Sequence, residues 1–362
     1  MDGFRLNIEA LSATSYRRQT QPTEKRRGPR LEPSTLPQPQ TQTYHFANRY
    51  SIVKEISRTQ MSVVRLAFDW VKRTGAIIKY GICHLGAEPI LREAFFLSQN
   101  IDPSFPQLYD IGVHQDEGYV YISMEQIHGQ DLNALIYGGE PQPLYRSIER
   151  AMMVAGALNN LHSAGYVHLD LKPENVMEED SGRIRLIDFG LADNIGTSYQ
   201  CVIGTPLYVS PEMARLQPVD QRADMYALGL MLYESITRNN PMDAPDINQI
   251  FINQMSKPMP RLERQTIADR IRPEYRQSLA TLIDQVTNIL SNVIAIMTEK
   301  DPADRFENME EVEGWLRHAA TLARQLAPYE NLGTNGPEIE VEIDLTDCYL
   351  PADQVQDQLQ VA

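Results

Sequence analysis

Two polar motifs lie close together near the middle of this chain. The first, His168-Leu169-Asp170-Leu171-Lys172-Pro173-Glu174-Asn175, places a carboxylate, an amine and an amide within eight residues. The second, Asp188-Phe189-Gly190, begins thirteen residues after Asn175 and follows an apolar-rich segment, Ile184-Arg185-Leu186-Ile187. Asp188-Phe189-Gly190 alone would recur by chance in many proteins, but the pair of motifs at this spacing is specific. Any fold of this chain is therefore expected to bring these side chains to one site.

The residue types in the two motifs are those that phosphoryl transfer requires. Moving the terminal phosphoryl group of ATP to a hydroxyl asks a protein mainly for positioning and charge neutralisation. Asp170 is expected to accept the hydroxyl proton, and Lys172 to neutralise charge on the transferred group. Asn175 and Asp188 offer oxygen ligands to the metal ions that bridge the phosphates.

With these motifs the sequence resembles the eukaryotic-like (Hanks-type) serine/threonine protein kinases, whose catalytic loop reads H-R-D-x-K-x-x-N and whose metal motif reads D-F-G. The resemblance runs from about Tyr50 to about Leu326. It implies a bilobal α+β fold with a small five-stranded β lobe carrying one helix and a larger, mainly helical lobe. It also implies ATP and Mg²⁺, with Mn²⁺ as the alternative metal, and protein substrates.

The resemblance implies further residues of the nucleotide site. Lys79, after Ala76-Ile77-Ile78, matches the lysine of V-A-I-K that holds the α- and β-phosphates. Glu93 is expected to pair with Lys79, since Glu88 lies five residues earlier and on a different helix face. Met124 is the expected gatekeeper before the hinge between the lobes. The remaining expected nucleotide contacts are Val64, Glu125, Ile127 and, near the ribose, Asp131.

Two departures from the family pattern affect nucleotide binding. The phosphate-covering loop, G-x-G-x-x-G in the family, here reads Ser57-Arg58-Thr59-Gln60-Met61-Ser62 and contains no glycine. Glycine lets backbone N–H groups approach phosphates closely, so we expect the hydroxyls of Ser57, Thr59 and Ser62 to substitute less well. Ile77 replaces the alanine above the adenine and narrows the pocket. Weaker or slower use of nucleotide is expected.

A third departure concerns regulation and the activation segment. Leu169 replaces the arginine that normally receives an activation-loop phosphate, and Cys201 stands where the acceptor usually lies. Activation is therefore expected not to depend on phosphorylation of this loop, although Thr197, Ser198 and Tyr199 are present. Thr205 together with Lys172 favours a serine or threonine acceptor.

Two structural pairings also follow from the resemblance. Glu212 is expected to pair with Arg305, and Asp224 to anchor the backbone of the catalytic loop. The resemblance implies that the segment from Thr205 to Glu212 and Arg305 build a platform for a protein substrate.

Composition shifts divide the chain into three parts. Residues 1–43 are rich in Pro, Gln, Thr and Arg and are expected to be a disordered arm. Its basic run from Lys25 to Arg30 is more often a solvated charge run than a docking or nuclear-address patch. Residues 44–327 are the expected kinase domain, with lobes at 44–124 and 128–327. Residues 328–362 are the expected acidic tail, whose alternating apolar residues leave a short added strand as the alternative.

Hydrophobic and turn patterns predict the elements of both lobes. Five strands are predicted in the first lobe, at 50–56, 63–68, 76–80, 108–114 and 119–124, with a helix at 89–99. Helices are predicted in the second lobe at 145–164, 220–238, 245–254, 274–298 and 308–327. The segment 256–272, between two of these helices, is longer than the family pattern requires, and no function is assigned to it.

Charge and composition limit the classes of binding partner and the cellular location that are expected. The net charge of −15 over 362 residues argues against general nucleic-acid binding and favours basic protein substrates. The three cysteines have no metal-ligand spacing and suggest a reducing compartment. No uninterrupted apolar run reaches membrane-spanning length, so a cytoplasmic location without membrane insertion is expected. The sequence carries no signal for an oligomeric state.

Three functions are compared on these residues. The first is an active serine/threonine protein kinase, since all the transferring residues are present. The alternative is a pseudokinase scaffold that binds partners or nucleotide without turnover, which the glycine-free loop and Ile77 support. A small-molecule phosphotransferase is disfavoured by the segment from Thr205 to Glu212 and by Arg305.

Overall fold

A computed structural model describes residues 46–82, 84–114, 118–139 and 142–332 of the chain. The predicted arm at 1–43 and the tail beyond residue 332 lie outside this range. The described residues form a smaller β lobe followed by a larger, mainly helical lobe. The expected bilobal α+β architecture is therefore confirmed.

The β lobe is a five-stranded antiparallel sheet covered by one helix. Neighbouring strands lie in the order β1-β2-β3-β5-β4. The elements are β1 (Tyr50–Arg58), β2 (Ser62–Asp69), β3 (Thr74–Gly81), α1 (His84–Ser98), β4 (Leu108–Val113) and β5 (Val120–Glu125).

The strand register of this sheet places the nucleotide-site residues side by side. Val64 of β2 lies opposite Lys79 of β3, and Ile77 of β3 lies opposite Met124 of β5. Side chains alternate between the two faces of a strand, so Ile77 and Lys79 share one face. The buried Ile78 points into the opposite core.

The helical lobe contains eight α-helices and five short strands among the residues described. The helices are α2 (Leu132–Tyr137), α3 (Leu144–Ser163), α4 (Pro211–Ala214), α5 (Arg222–Thr237), α6 (Ile247–Ser256), α7 (Arg264–Ala268), α8 (Ala280–Met297) and α9 (Met309–Leu326). The strands are β6 (Gly129–Asp131), β7 (Tyr166–Val167), β8 (Val176–Glu179), β9 (Ile184–Leu186) and β10 (Asp193–Asn194).

Helix α5 is the central element of this lobe. Thirteen of its residues are buried, from Ala223 to Ile236, so it is apolar on all sides rather than on one stripe. Helices α3 and α8 pack against it, and α9 packs against both of them. The short strands flank the two sequence motifs, since the first motif lies between β7 and β8 and the second follows β9.

Helix α8 is long and apolar enough to cross a membrane, with a mean hydropathy of 1.3 over 18 residues. In the structure its apolar side chains pack inside the protein. Its buried side chains, among them Ile283, Leu290 and Ile294, belong to the main core cluster of the helical lobe.

Two helices begin at other residues than the sequence predicted. Helix α1 begins at His84 rather than at 89, and Pro89 lies inside it. Gly86, in the additional turn before Pro89, lies close to the Met61 carbonyl of the β1–β2 turn. Helix α8 begins at Ala280 rather than at 274, because Pro273–Tyr275 form a separate turn of 3₁₀-helix.

The predicted domain end at residue 327 is too early. Glu330 is 7% exposed and forms an isolated β-bridge with Ile271. The folded part therefore continues at least to residue 330. Residues 256–272, which had no assigned role, supply the partner strand of this bridge as well as helix α7.

Candidate active site

A cleft of about 580 Å³ separates the two lobes and contains both sequence motifs. One wall comes from β1, β2 and β3, the back from the segment joining β5 to β6, and the floor from the catalytic loop. Most of the predicted nucleotide-site residues line it: Ser57, Val64, Ile77, Lys79, Glu93, Met124, Glu125, Ile127, Asp131, Asn175 and Asp188.

The Asp170 carboxylate stands at the centre of the catalytic loop. Lys172 Nζ donates to its Oδ2 at 2.8 Å, and Asn175 Nδ2 donates to the same oxygen at 3.2 Å. Thr205 donates to Oδ1 through both its hydroxyl, at 2.7 Å, and its backbone N–H, at 3.0 Å. The carboxylate is thereby fixed in orientation, as a base that aims a hydroxyl must be.

Lys172 remains a cation in this setting. Burial lowers its pKa, but the charge and hydrogen bond of Asp170 outweigh burial, so the net shift is upward. Its Nζ also donates to Thr205 Oγ1 at 2.9 Å. The ammonium therefore lies between the carboxylate and the activation segment, where charge on a transferred phosphoryl group would develop.

The backbone of the catalytic loop is held from below by α5. Asp224 accepts from the backbone N–H groups of His168, at 2.8 Å, and Leu169, at 2.9 Å. Leu169 has a positive φ of 65°, a conformation that costs a non-glycine residue of the order of 1 kcal/mol. The buried acceptor offsets this cost, and the predicted anchoring by Asp224 is confirmed.

A second group of charges links the β lobe to the Asp188 motif. Lys79 Nζ lies 2.6 Å from Glu93 Oε2 and 2.6 Å from Asp188 Oδ1. Glu93 also accepts from Phe189 N at 3.3 Å. Glu88, the rejected alternative, pairs instead with Arg92 on the helix surface at 2.9 Å.

The charge states of this group follow from their environment. Burial works against the Lys79 ammonium, but Asp188 and Glu93 raise its pKa above the usual range. Burial likewise opposes ionisation of Asp188, yet the charge of Lys79 holds its pKa well below the usual range. Lysine is thus positive and Asp188 negative at neutral pH, as phosphate and metal binding require.

Asn175 and Asp188 form a donor set that suits Mg²⁺. Asn175 Nδ2 donates to the backbone oxygen of Asp170 at 2.8 Å, which leaves its amide oxygen as the ligand atom. Lys79 approaches Asp188 through Oδ1. Within the described residues no group of three His, Cys, Asp or Glu side chains forms a closed metal cage. Mg²⁺ is commonly held by one or two protein oxygens together with phosphates and water, so these two residues fit it.

The turn between β1 and β2 differs from its prediction. Ser57 lines the cleft, whereas Thr59 and Ser62 are not among its lining residues. The Thr59 hydroxyl instead accepts from the backbone N–H groups of Met61, at 3.2 Å, and Ser62, at 3.0 Å. The structure therefore does not bring Thr59 and Ser62 to the nucleotide site, because their polar groups close the turn.

The hinge residues have additional contacts that the sequence did not reveal. The Glu125 carboxylate pairs with Arg185 at 2.5 Å, so its side chain turns away from the cleft towards the helical lobe. Asp131 caps α2 by accepting from Ala134 N at 2.7 Å while lining the cleft. Contact between adenine and the backbone groups of Glu125 and Ile127 stays a prediction.

Sequence reasoning missed several residues of the cleft. Ile56, Met177 and Ile187 add apolar surface, and Lys54 adds a cation. Ile187 directly precedes Asp188, and Met177 follows Asn175 by two residues, so the alternation of a strand could have placed both beside the motifs. Lys54 carried no such signal.

The activation segment is docked by apolar and ionic contacts. Leu169 is 4% exposed and belongs to an apolar cluster with Val202, against which Tyr199 and Ile203 also pack. Asp193 accepts from Arg92 of α1 at 2.6 Å and from the Tyr199 hydroxyl at 3.1 Å.

The end of the activation segment is also fixed. Glu212 and Arg305 form a buried, two-pronged ion pair, with both N–O distances 2.8 Å, as predicted. Buried Arg–carboxylate pairs of this kind hold two elements in one geometry. The segment therefore has a defined path from Asp188 to Glu212.

Comparison with known proteins agrees with this site. A family model for the protein kinase domain matches residues 83–315. A probable serine/threonine-protein kinase of Clostridium acetobutylicum is 30% identical over 299 residues, which cover 73% of this chain and 45% of that protein. The probable kinase PknB of Lactococcus lactis is 29% identical over 77% of this chain and 43% of its own length.

A third relative, the serine/threonine-protein kinase PrkC of Bacillus subtilis, is 28% identical over 76% of this chain and 41% of its own length. The chain belongs to the protein kinase family, and its relatives are kinases of the serine/threonine type. It spans less than half the length of these relatives. The family match begins after β3, so the divergent β1–β2 turn and Lys79 lie before it.

Proposed function

We propose that this chain is a serine/threonine protein kinase that transfers the γ-phosphoryl group of ATP to protein hydroxyls with Mg²⁺, Mn²⁺ being the alternative metal. One observation carries the proposal. The ion pair between Lys79 and Glu93 and the bonded set around Asp170 are formed in the same structure. Both halves of a phosphoryl-transfer site are thus assembled together.

Each residue has a distinct task in this reaction. Lys79, held by Glu93, orients the α- and β-phosphates, and Asn175 and Asp188 hold the metal. When bound there, Mg²⁺ would offset the negative charge of the ATP phosphates. Asp170 aims the acceptor hydroxyl and takes its proton, while Lys172 offsets negative charge on the transferred group.

The active arrangement is proposed not to depend on activation-loop phosphorylation. A phosphate normally orders this segment by pairing with arginine. Here Leu169 is buried in the cluster that includes Val202, and the Asp193 carboxylate already pairs with Arg92. We propose that this apolar packing and the Asp193 carboxylate hold the activation segment in the way that a phosphate does in other kinases.

The substrates are proposed to be basic proteins. Glu174 is exposed and lines the same cleft as Asp131, so two negative carboxylates border the catalytic loop and repel each other. A cationic side chain of a substrate would relieve this repulsion beside the catalytic loop. The net charge of −15 supports the same preference. A cytoplasmic location, without membrane insertion or nucleic-acid binding, completes the proposal.

The second candidate is a pseudokinase scaffold, and one feature favours it. The N–H groups of Thr59, Met61 and Ser62 are all bonded within the β1–β2 turn. They are therefore not directed at phosphates as in a glycine-rich loop. Together with Ile77 in the cleft, this predicts weak nucleotide binding.

The mass of the intact protein after incubation with ATP and Mg²⁺ tests the proposal. We expect steps of one phosphate in the wild type and in an added basic protein substrate, and none with Asp170→Asn, which keeps the shape of the side chain but removes the base. Peptide mapping should place the phosphates on serine or threonine. No transfer by the wild type to itself or to added substrate would favour the scaffold, and equal transfer by both proteins would reveal a contaminating kinase.

A further inference from the structure

The β1–β2 turn lacks glycine, yet two glycines lie beneath it. Gly81 ends β3, and Gly86 lies in the first turn of α1. The carbonyl oxygen of Met61, at the tip of the turn, accepts from Ile82 N at 2.9 Å. The turn is therefore joined by its backbone to the connection between β3 and α1.

Neither glycine position has room for a side chain. A Cβ atom on Gly86 would lie 2.1 Å from the Met61 oxygen, and a Cβ on Gly81 would lie 2.6 Å from the backbone of Gly86. Neither glycine has a positive φ, so close backbone approach rather than unusual conformation requires glycine here. The obstructing atoms are backbone, which cannot move aside as a flexible side chain can.

The elements that meet at this contact also carry the charged pair of the site. Lys79 lies two residues before Gly81, and Glu93 lies two helical turns after Gly86 on α1. Met61 lies at the tip of the turn that follows Ser57, which lines the cleft. Movement at Gly86 must therefore displace the turn, helix α1 or both.

We infer that Gly81 and Gly86 are positioning residues that seat the glycine-free turn on α1 and so couple the roof of the nucleotide cleft to the Lys79–Glu93 pair. The inference deepens the proposed kinase function and rests on it. In a glycine-rich loop the backbone N–H groups meet the phosphates directly. Here the turn is closed by Thr59 and is set in place by the glycines below it.

The variant Gly86→Ala tests whether the contact between Gly86 and the Met61 carbonyl positions the turn, and Gly314→Ala is the matched control. Gly314 also lies in a helix, but a Cβ there meets no atom within 4 Å. For Gly86→Ala we expect Kd for Mg-ATP, measured by calorimetry, and KM for ATP to rise about tenfold, which equals about 1.4 kcal/mol. KM for the protein substrate should change less than twofold, and the control should bind ATP as the wild type does.

Hydrogen exchange supplies a readout that does not depend on catalysis. In Gly86→Ala the amide of Ile82 should lose protection, because its acceptor on Met61 is displaced. If the wild type binds Mg-ATP without transferring phosphate, the kinase proposal fails, while the binding and exchange data still test the seat. A Gly86→Ala variant with unchanged Kd and an equally protected Ile82 amide would overturn the inference, as would a tenfold loss in Gly314→Ala.

A double variant separates seating from general damage to the fold. Adding Met61→Gly to Gly86→Ala frees the backbone of the turn to move its carbonyl away from the new methyl group. Under the inference, hydrogen-exchange protection of α1 around Glu93 should equal that of the wild type while ATP affinity stays low, since the turn is released from its contact with Gly86. Loss of melting temperature in Gly86→Ala with unchanged ATP affinity would show a purely structural role and overturn the inference.

Discussion

Lys300 illustrates how a single partly buried charge influences this molecule. Its Nζ donates to the Tyr226 hydroxyl at 2.8 Å and lies 5.0 Å from the centre of that ring. Arg305 lies 5.0 Å from the same ring. Burial, then the charges of Arg305 and Arg215, lower the pKa of Lys300 to about 8, against the weaker attraction of Glu299 and Glu212.

This pKa predicts how stability changes with pH. The unfolded pKa of 10.5 is higher than the folded value of about 8, so between these values the unfolded chain binds more protons. Stability must therefore rise with pH in this window. For the wild type relative to Lys300→Met, we expect a gain of about 1–2 kcal/mol between pH 7.5 and 9.5, measured by urea unfolding.

The control for this measurement is Lys54→Met, at an exposed lysine of β1. Its stability should follow the pH dependence of the wild type. We also expect Lys300→Met to be more stable than the wild type at pH 7.5, since it removes a charge that burial disfavours. Parallel pH curves for the wild type and Lys300→Met would contradict the assignment.

At the scale of elements, the activation segment is held by two kinds of contact. The apolar cluster around Leu169 joins the segment to the catalytic loop, and Asp193 joins it to α1 through Arg92. Tyr199 takes part in both, because its ring packs on the cluster and its hydroxyl donates to Asp193. The structure thus gives Tyr199 a role that its position in the loop did not indicate.

Replacing the three available hydroxyls tests independence from phosphorylation. Thr197→Ala with Ser198→Ala should leave kcat/KM unchanged, and adding Tyr199→Phe should lower it up to about fivefold, because one hydrogen bond of about 1 kcal/mol is lost. Steady-state kinetics on phosphatase-treated protein would measure this. A hundredfold loss in the triple variant, about 2.7 kcal/mol, would contradict the proposal.

Across the whole molecule, the end of the described chain is tied to distant elements. The Glu330 carboxylate accepts from Leu144 N, at 3.0 and 3.1 Å, and lies 3.6 Å from Arg270 Nε. It therefore joins the chain after α9 to the first residue of α3 and to the segment before α8. Its negative charge also suits the positive end of a helix.

Removal of this carboxylate is predicted to weaken the entire helical lobe. Glu330→Ala leaves the N–H of Leu144 without its acceptor and Arg270 without its ion-pair partner, and we expect a loss of about 2–4 kcal/mol in unfolding free energy. Glu330→Gln retains an acceptor oxygen and should lose less. Denaturant unfolding would measure both, and exposed Glu274→Ala should stay within about 0.5 kcal/mol of the wild type.

An unchanged stability in Glu330→Ala would mean that this carboxylate adds nothing to the stability of the folded part, which continues at least to residue 330. The sequence could not place this end, because Glu330 is followed by acidic residues and looks like part of the tail. Only its contacts with Leu144 and Arg270, both distant along the chain, distinguish it.

The sequence alone determined the family, the lobes and the pairing of acids with bases. Motif spacing sufficed for Asp170, Lys172, Asn175 and Asp188, because the chemistry of phosphoryl transfer limits the residue types at those positions. The strands and long helices were predictable from the periodicity of hydrophobic residues. The starts of α1 and α8 were not, because contacts between elements also influence where a helix begins.

Tertiary structure alone decided what fills the places of missing family residues. The Thr59 hydroxyl closes its own turn by a hydrogen bond, Gly86 lies against the Met61 carbonyl, and Arg92 forms an ion pair with Asp193. The Thr59 contact is local along the chain, but the other two join residues that are distant in the sequence. The physical reason is that backbone contacts, burial and ion pairs depend on distances between elements, which a linear pattern does not contain.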